Sequence, residues 1–209
     1  MKFIGAVQTI MKTDPTASSE FIYTQLCQWY PELKERERCP NCSGSMQMYT
    51  FKFDVLDALL LVAMAKVVGE RMEQGWEFTE ANKVHVQKMD HVTYAVRSRT
   101  SQCRQLGLVA KVLNEAGKQI GGTWAITRRG WSALRGEAIP SEVVSFQNKI
   151  VSRGEGETTI SETFRNHREE MMESRLKGQT NRNDYSHTID QFSEINWVHY
   201  AELAEGKIL

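Results

Sequence analysis

The stretch "GGTWAITRRGWSALRGE", Gly121 to Glu137, decides the reading of the fold. Trp124 and Ile126 are two residues apart, so in a strand they share one face. Thr127 is a residue type that opens helices, because its side-chain oxygen can accept an otherwise unsatisfied backbone N–H of the first turn. Gly136 is a residue type that ends them. The stretch therefore predicts a strand that stops at Thr127, a sharp turn, and a short helix through Leu134. Trp131 falls on the inner face of that helix, and Gly130 permits close packing beside it. Arg128 and Arg129 are left facing outward at the base of the strand.

Upstream, "LVAKVL" predicts a partner strand, and "NEAGKQIGG" supplies the glycine-rich loop of a hairpin. Two short helices precede it. The first is expected to start from Asp90, with Val92, Ala95 and Val96 inward. The second is expected to start from Ser98 or Thr100 and to end at Gly107. Before them, "DVLDALLLVAMAKVVGERMEQG" has Asp54 as a natural N-cap and Gly75 as a natural stop. It is apolar on nearly every side between Val55 and Val68, which predicts a helix central to the core. Its most apolar part, "ALLLVAMAKVV", is interrupted by Lys66 and preceded by Asp54 and Asp57, so it falls short of a membrane span.

A long helix, two short helices, a strand, a glycine-rich loop and a second strand follow the order of a winged helix-turn-helix. The expected fold class is α+β: a winged-helix core at residues 51–152, an N-terminal helix and Cys-x-x-Cys arm at 1–50, and an acidic helical extension at 153–209. "EVVSFQNKIVS" predicts a small hairpin with Asn148 in its turn. "IDQFSEINWVHYAELAEG" is amphipathic and suited to docking back or to a partner.

The formal net charge is zero, but the charge is unevenly spread. From Lys83 to Gly136 there are ten Lys and Arg against two acids, Asp90 and Glu115, while from Gly154 onward there are eleven acids against six bases. A basic segment balanced by an acidic one is the footprint of a nucleic-acid face. The alternative is a solvated basic surface with an acidic neighbour to pair with. Four cysteines in 209 residues do not form a disulfide scaffold. The N-terminus lacks the pattern of a signal peptide, so a soluble, cytoplasmic protein is expected.

"CPNCSGSMQMYTFKF", then the apolar helix, then "KVHV", then "GGTWAITRRGWSALRGEAIPSEVVSFQNKIV" resemble a group of small bacteriophage proteins. That group joins a Cys-Pro-x-Cys knuckle to a winged helix. The resemblance covers roughly residues 39 to 152. It implies a host-cell cytoplasmic location and favours His85 as a further metal ligand. Where the group often has Pro after the Thr, this chain has Arg128.

Cys39 and Cys42 have the two-residue spacing of a zinc knuckle, and Pro40 with Ser43 and Gly44 favours the tight turn that aims both thiolates at one ion. They are half a structural Zn2+ site. Cys27 and His85 are the candidates to complete it, with His91 and Cys103 as fallbacks. Cys103, spaced with Leu106, also reads as a buried small hydrophobe.

"RSRTSQCRQLG", Arg97 to Gly107, is the candidate recognition helix. Arg97, Arg99, Ser101, Gln102 and Gln105 are residue types that pair with base edges, Arg with guanine and Gln with adenine. Arg104 suits a phosphate. Lys118 and Gln119 lie at the expected wing tip, within reach of the DNA backbone, as are Arg128 and Arg129. No phosphate loop, dinucleotide fingerprint or His-Glu-x-x-His is present, and no enzymatic activity is expected. The sequence thus predicts duplex-DNA binding, in a regulatory role and compatible with a homodimer. The rival is an interaction protein that uses the winged helix and acidic tail to modulate a host or phage protein, by DNA mimicry in one version.

Overall fold

The computed structural model describes residues 48–146, 149–179, 181, 183–205 and 207, together with Phe21, Gln25 and Gln28. Cys27, Cys39, Cys42 and Asn148 lie outside the described residues. The described chain is α+β, with small antiparallel sheets among its helices.

Strand β1 (Met48–Lys52) leads into helix α1 (Val55–Glu73). The start of α1 is a reciprocal cap. Asp54 Oδ1 accepts from Leu56 N at 2.9 Å and Asp57 N at 3.2 Å, while Asp57 Oδ2 accepts from Asp54 N at 3.0 Å. Such a box satisfies donors that the first helical turn leaves bare. Ala58 through Ala65 are buried on every side, as the apolar run demands. Gln74 closes the helix and Gly75, at φ 88°, turns the chain away.

Helix α2 (Phe78–Ala81) is followed by Asn82, whose side-chain amide grips the backbone of Ile126. Nδ2 donates to the Ile126 carbonyl at 2.9 Å, and Oδ1 accepts the Ile126 N–H at 3.0 Å. Strand β2 (Val84–His85), a 3-10 turn (Val86–Lys88), α3 (Tyr94–Arg97), α4 (Thr100–Gln105), β3 (Val109–Leu113) and β4 (Gln119–Ile126) come next. The sheet order is β2-β4-β3, all antiparallel, with Val84 opposite Trp124 and Val109 opposite Ile126.

The two short helices exist where expected but begin differently. Thr93, not Asp90, caps α3, its Oγ1 accepting from Val96 N. Neither Ser98 nor Thr100 caps α4. Ser98 and Arg99 both keep helical backbone angles, so the chain passes from α3 to α4 with no extended residue whose side chain could fold back. The Ser98 hydroxyl instead donates to the Ala95 carbonyl at 2.7 Å.

Helix α5 (Arg128–Leu134) follows β4 directly, then β5 (Ile139–Pro140), β6 (Glu142–Phe146), β7 (Lys149–Arg153) and β8 (Glu157–Thr158). The β6–β7 hairpin forms as expected, and β1 joins it in the order β1-β6-β7, while β5 pairs with β8. Helices α6 (Ile160–Leu176), α7 (Ser186–Ser193) and α8 (Trp197–Glu205) complete the chain.

The packing divides the chain differently from the expected boundaries at 50/51 and 152/153. One unit is Met1–Lys52 with Glu142–Glu155, and the other is Phe53–Ser141 with Gly156–Leu209. The reason lies in long-range pairing. β1 pairs with β6, and the three tail helices dock on α1. Ile160, Phe164 and Met171 of α6, Ile189 and Phe192 of α7, and Ala201 and Ala204 of α8 are buried. Gly69 of α1 makes room for α8: a Cβ there would sit 2.1 Å from the Tyr200 ring. The acidic tail is therefore part of the second unit's core.

Candidate nucleic-acid interface

The opening stretch folds as its residue types dictate. Thr127 is extended, at φ −78° and ψ 170°, and its Oγ1 accepts the Gly130 N–H at 3.0 Å. The same hydroxyl lies 2.6 Å from the Gly107 carbonyl, to which it donates. Gly130 is required by the approach of β3: a Cβ would stand 2.2 Å from the Leu108 carbonyl oxygen. Trp131 is fully buried, its ring 6.0 Å from that of Phe78. Arg128 is exposed and Arg129 half-buried. Trp124 and Ile126 are buried, so the aromatics do hold the hairpin to the core.

The β3–β4 turn is braced by Asn114. Its N–H donates to the Lys118 carbonyl at 2.8 Å, its Oδ1 accepts the Lys118 N–H at 2.8 Å, and Gly117 adopts φ 73°. Lys118 is exposed at the tip, Gln119 is half-buried, and Lys111 is exposed on β3. Tyr94 (73% exposed), Leu113 (55%) and Ile120 (41%) add apolar surface on α3 and the hairpin.

Helix α4 departs from the expectation. Ser101 and Arg104 are exposed. Arg99, Gln102 and Gln105, expected at base edges, are engaged internally. Arg99 Nη2 pairs with Asp54 Oδ2, and its Nη1 donates to Gln102 Oε1 at 2.9 Å. Gln102 Nε2 donates to Asp57 Oδ2 at 2.8 Å. With the Asp54 N–H on that same oxygen, these four side chains close a polar ring between the start of α1 and α4. Gln105 is buried. Arg97 donates from Nη1 to the Gln87 carbonyl at 2.8 Å. A six-residue helix packed on α1 has too few turns to present all its polar side chains outward.

Asp54 and Asp57 are functional candidates that the sequence reading used only as a helix start. Asp57 is fully buried. Burial, and then the neighbouring Asp54 carboxylate, push its pKa up to about 7. Cys103 Sγ lies 3.5 Å from Asp57 Oδ1. Burial raises the Cys103 thiol well above its usual range, as for the buried small hydrophobe that its spacing with Leu106 suggests.

Of the expected zinc ligands only His85 is among the described residues. It sits on β2 opposite Thr123, its ring against Gly122, where a Cβ would meet Cε1 at 2.8 Å. Its Nδ1 is buried with no hydrogen-bond partner. No group of three His, Cys, Asp or Glu suited to a metal gathers among the described residues. His91 packs beside Phe192, ring centroids 6.2 Å apart.

No helix among the described residues is long and apolar enough to cross a membrane. No protein-family model, curated protein or solved structure matches this chain.

Proposed function

We propose that this chain is a winged-helix protein that binds duplex DNA, in a regulatory role, with α4 toward the major groove and the β3–β4 hairpin as the wing. The order α1, β2, α3, α4, β3, β4 with sheet order β2-β4-β3 supports the winged-helix reading. The observation that carries the DNA reading is that α4, the hairpin and the start of α5 each leave a cation exposed, Arg104, Lys118 and Arg128, and that Lys111 of β3 is exposed as well. Cations on successive elements of one small unit are what a phosphate backbone selects.

The internal ring changes the character of the binding. With Arg99, Gln102 and Gln105 engaged inside, Ser101 is the exposed neutral polar group left on α4 to read a base. Binding is then dominated by phosphate contacts, which position but do not specify. The test is a salt series on mixed-sequence duplex. The chain should bind, and log affinity should fall linearly with log salt. Substituting Arg104, Lys118 and Arg128 together should flatten that line, and no binding at low salt would overturn the reading.

A protein-docking role is the second reading, and the exposed Tyr94, Leu113 and Ile120 favour it, since DNA does not call for such apolar surface. Its DNA-mimicry version has less support. Acids on the tail are interleaved with bases, as in the Arg168–Asp190 and Lys177–Glu173 pairs, rather than forming a continuous negative face.

A further inference from the structure

The ring of Asp54, Asp57, Arg99 and Gln102 holds two carboxylates against one guanidinium, so with both acids ionised it carries one surplus negative charge. The positive end of α1 offsets part of that charge. Asp57 is the member with no access to water. The charged or titratable groups facing it are Asp54 at its own helix cap and Arg99 and Cys103 from α4, while His167 of α6 faces the Asp54 side.

The geometry also says where a proton would sit. Asp57 Oδ2 accepts from two N–H groups, Asp54 N at 3.0 Å and Gln102 Nε2 at 2.8 Å, and neither can accept in return. Oδ1 faces Cys103 Sγ at 3.5 Å, and a thiol can donate or accept. A proton on Oδ1 turns that one contact around: the thiol donates to the carboxylate before, and the carboxyl O–H donates to sulfur after. Every other bond of the ring survives. The two protonation states differ in charge and not in shape.

Resting on the DNA-binding reading above, we propose that Asp57 makes DNA affinity proton-linked: a proton on its carboxyl removes the surplus negative charge beneath α4, leaves the Arg99 charge less cancelled, and strengthens phosphate binding. Burial and the adjacent Asp54 carboxylate bring this proton on and off near neutral pH. By reciprocity, bound DNA must in turn favour the protonated carboxyl. One charge acting on a phosphate about 8 Å away is worth roughly two- to sixfold in affinity, for effective dielectric constants between about 80 and about 40.

The test uses the full chain and a short fluorescein-labelled duplex of mixed sequence at low salt, from about pH 8 down to about pH 6. Affinity should rise roughly two- to sixfold over that window. Asp57→Asn keeps an acceptor oxygen for Asp54 N and Gln102 and carries no charge. Between the upper and lower pH its affinity should rise less than the wild type's by that roughly two- to sixfold factor, and histidine titrations, common to both, cancel in the comparison. Binding whose pH dependence is unchanged in Asp57→Asn overturns the proton link and leaves the DNA reading standing. Binding at no pH overturns both. If the variant does not fold, carboxylate NMR of the wild type decides: saturating duplex should raise the Asp57 midpoint, and an unmoved midpoint overturns the proposal.

Discussion

Gly130→Ala separates packing from propensity. Gly130 lies inside α5 and has no positive φ, so by helix propensity alone alanine should stabilise by about 1 kcal/mol. The structure predicts the opposite sign. The added Cβ would stand 2.2 Å from Leu108 O and 2.8 Å from Ile126 Cγ2, where ordinary contacts begin near 3.4 Å. Leu108 O cannot easily yield, because it accepts the Thr127 N–H at 3.0 Å, which ties it to the residue that opens α5. Helix α5 must therefore move off the sheet by about 1 Å and carry the buried Trp131 with it, an overpacking cost of about 1–3 kcal/mol or more. The net expectation is a loss of up to about 2 kcal/mol, measured as a lower urea midpoint at unchanged slope. Gly121→Ala, with open space around it and no positive φ, is the control and should change little. A Gly130→Ala chain more stable than wild type would refute the close seating of α5 on Leu108.

Three other outcomes follow. Arg99→Ala leaves the Asp54 and Asp57 carboxylates without their counter-ion and should cost about 1–3 kcal/mol by urea unfolding, the half-exposed pair placing it below a fully buried one; a change below about 0.5 kcal/mol would mean the arginine is free for DNA after all. Asp57, raised from 3.8 to about 7, contributes stability that is fully present below about pH 4 and is lost as pH rises through about 7, so unfolding free energy should fall over that window and the fall should vanish in Asp57→Asn; a wild type whose stability rises with pH there contradicts the burial of this carboxylate. The Cys39–Cys42 spacing predicts close to one zinc per chain by elemental analysis, lost in Cys42→Ser; metal-replete protein with no zinc removes the knuckle.

What was legible in the sequence was local. Thr127 caps the Gly130 N–H three positions on and the inner face of Trp131 follows from helical spacing, so residue type and spacing suffice to read them, while the surfaces that receive Gly130 and Trp131, at Leu108 and Phe78, come from distant segments. The α1 helix was legible because its apolar run and both its ends are marked. The faces of α4 were not legible. The partners of Arg99 and Gln102 are Asp54 and Asp57, each 45 positions upstream, and a six-residue helix has no long periodicity to reveal which side turns inward. The same limit explains the domain boundary, since the pairing of β1 with β6 joins segments about ninety residues apart that share no local signal. The tail's amphipathic pattern announced docking but not that α1 would be the surface it covers.

The most direct test of the central claim is a comparison of salt slopes for mixed-sequence duplex binding by wild type and by Arg104→Ala with Lys118→Ala and Arg128→Ala. The account predicts that wild type binds and that the triple variant, with an unchanged melting temperature, loses about 0.9 from the slope for each phosphate contact removed. An equal slope in the two proteins, or no binding by wild type at low salt, would contradict it and leave the exposed Tyr94, Leu113 and Ile120 as the surface to pursue.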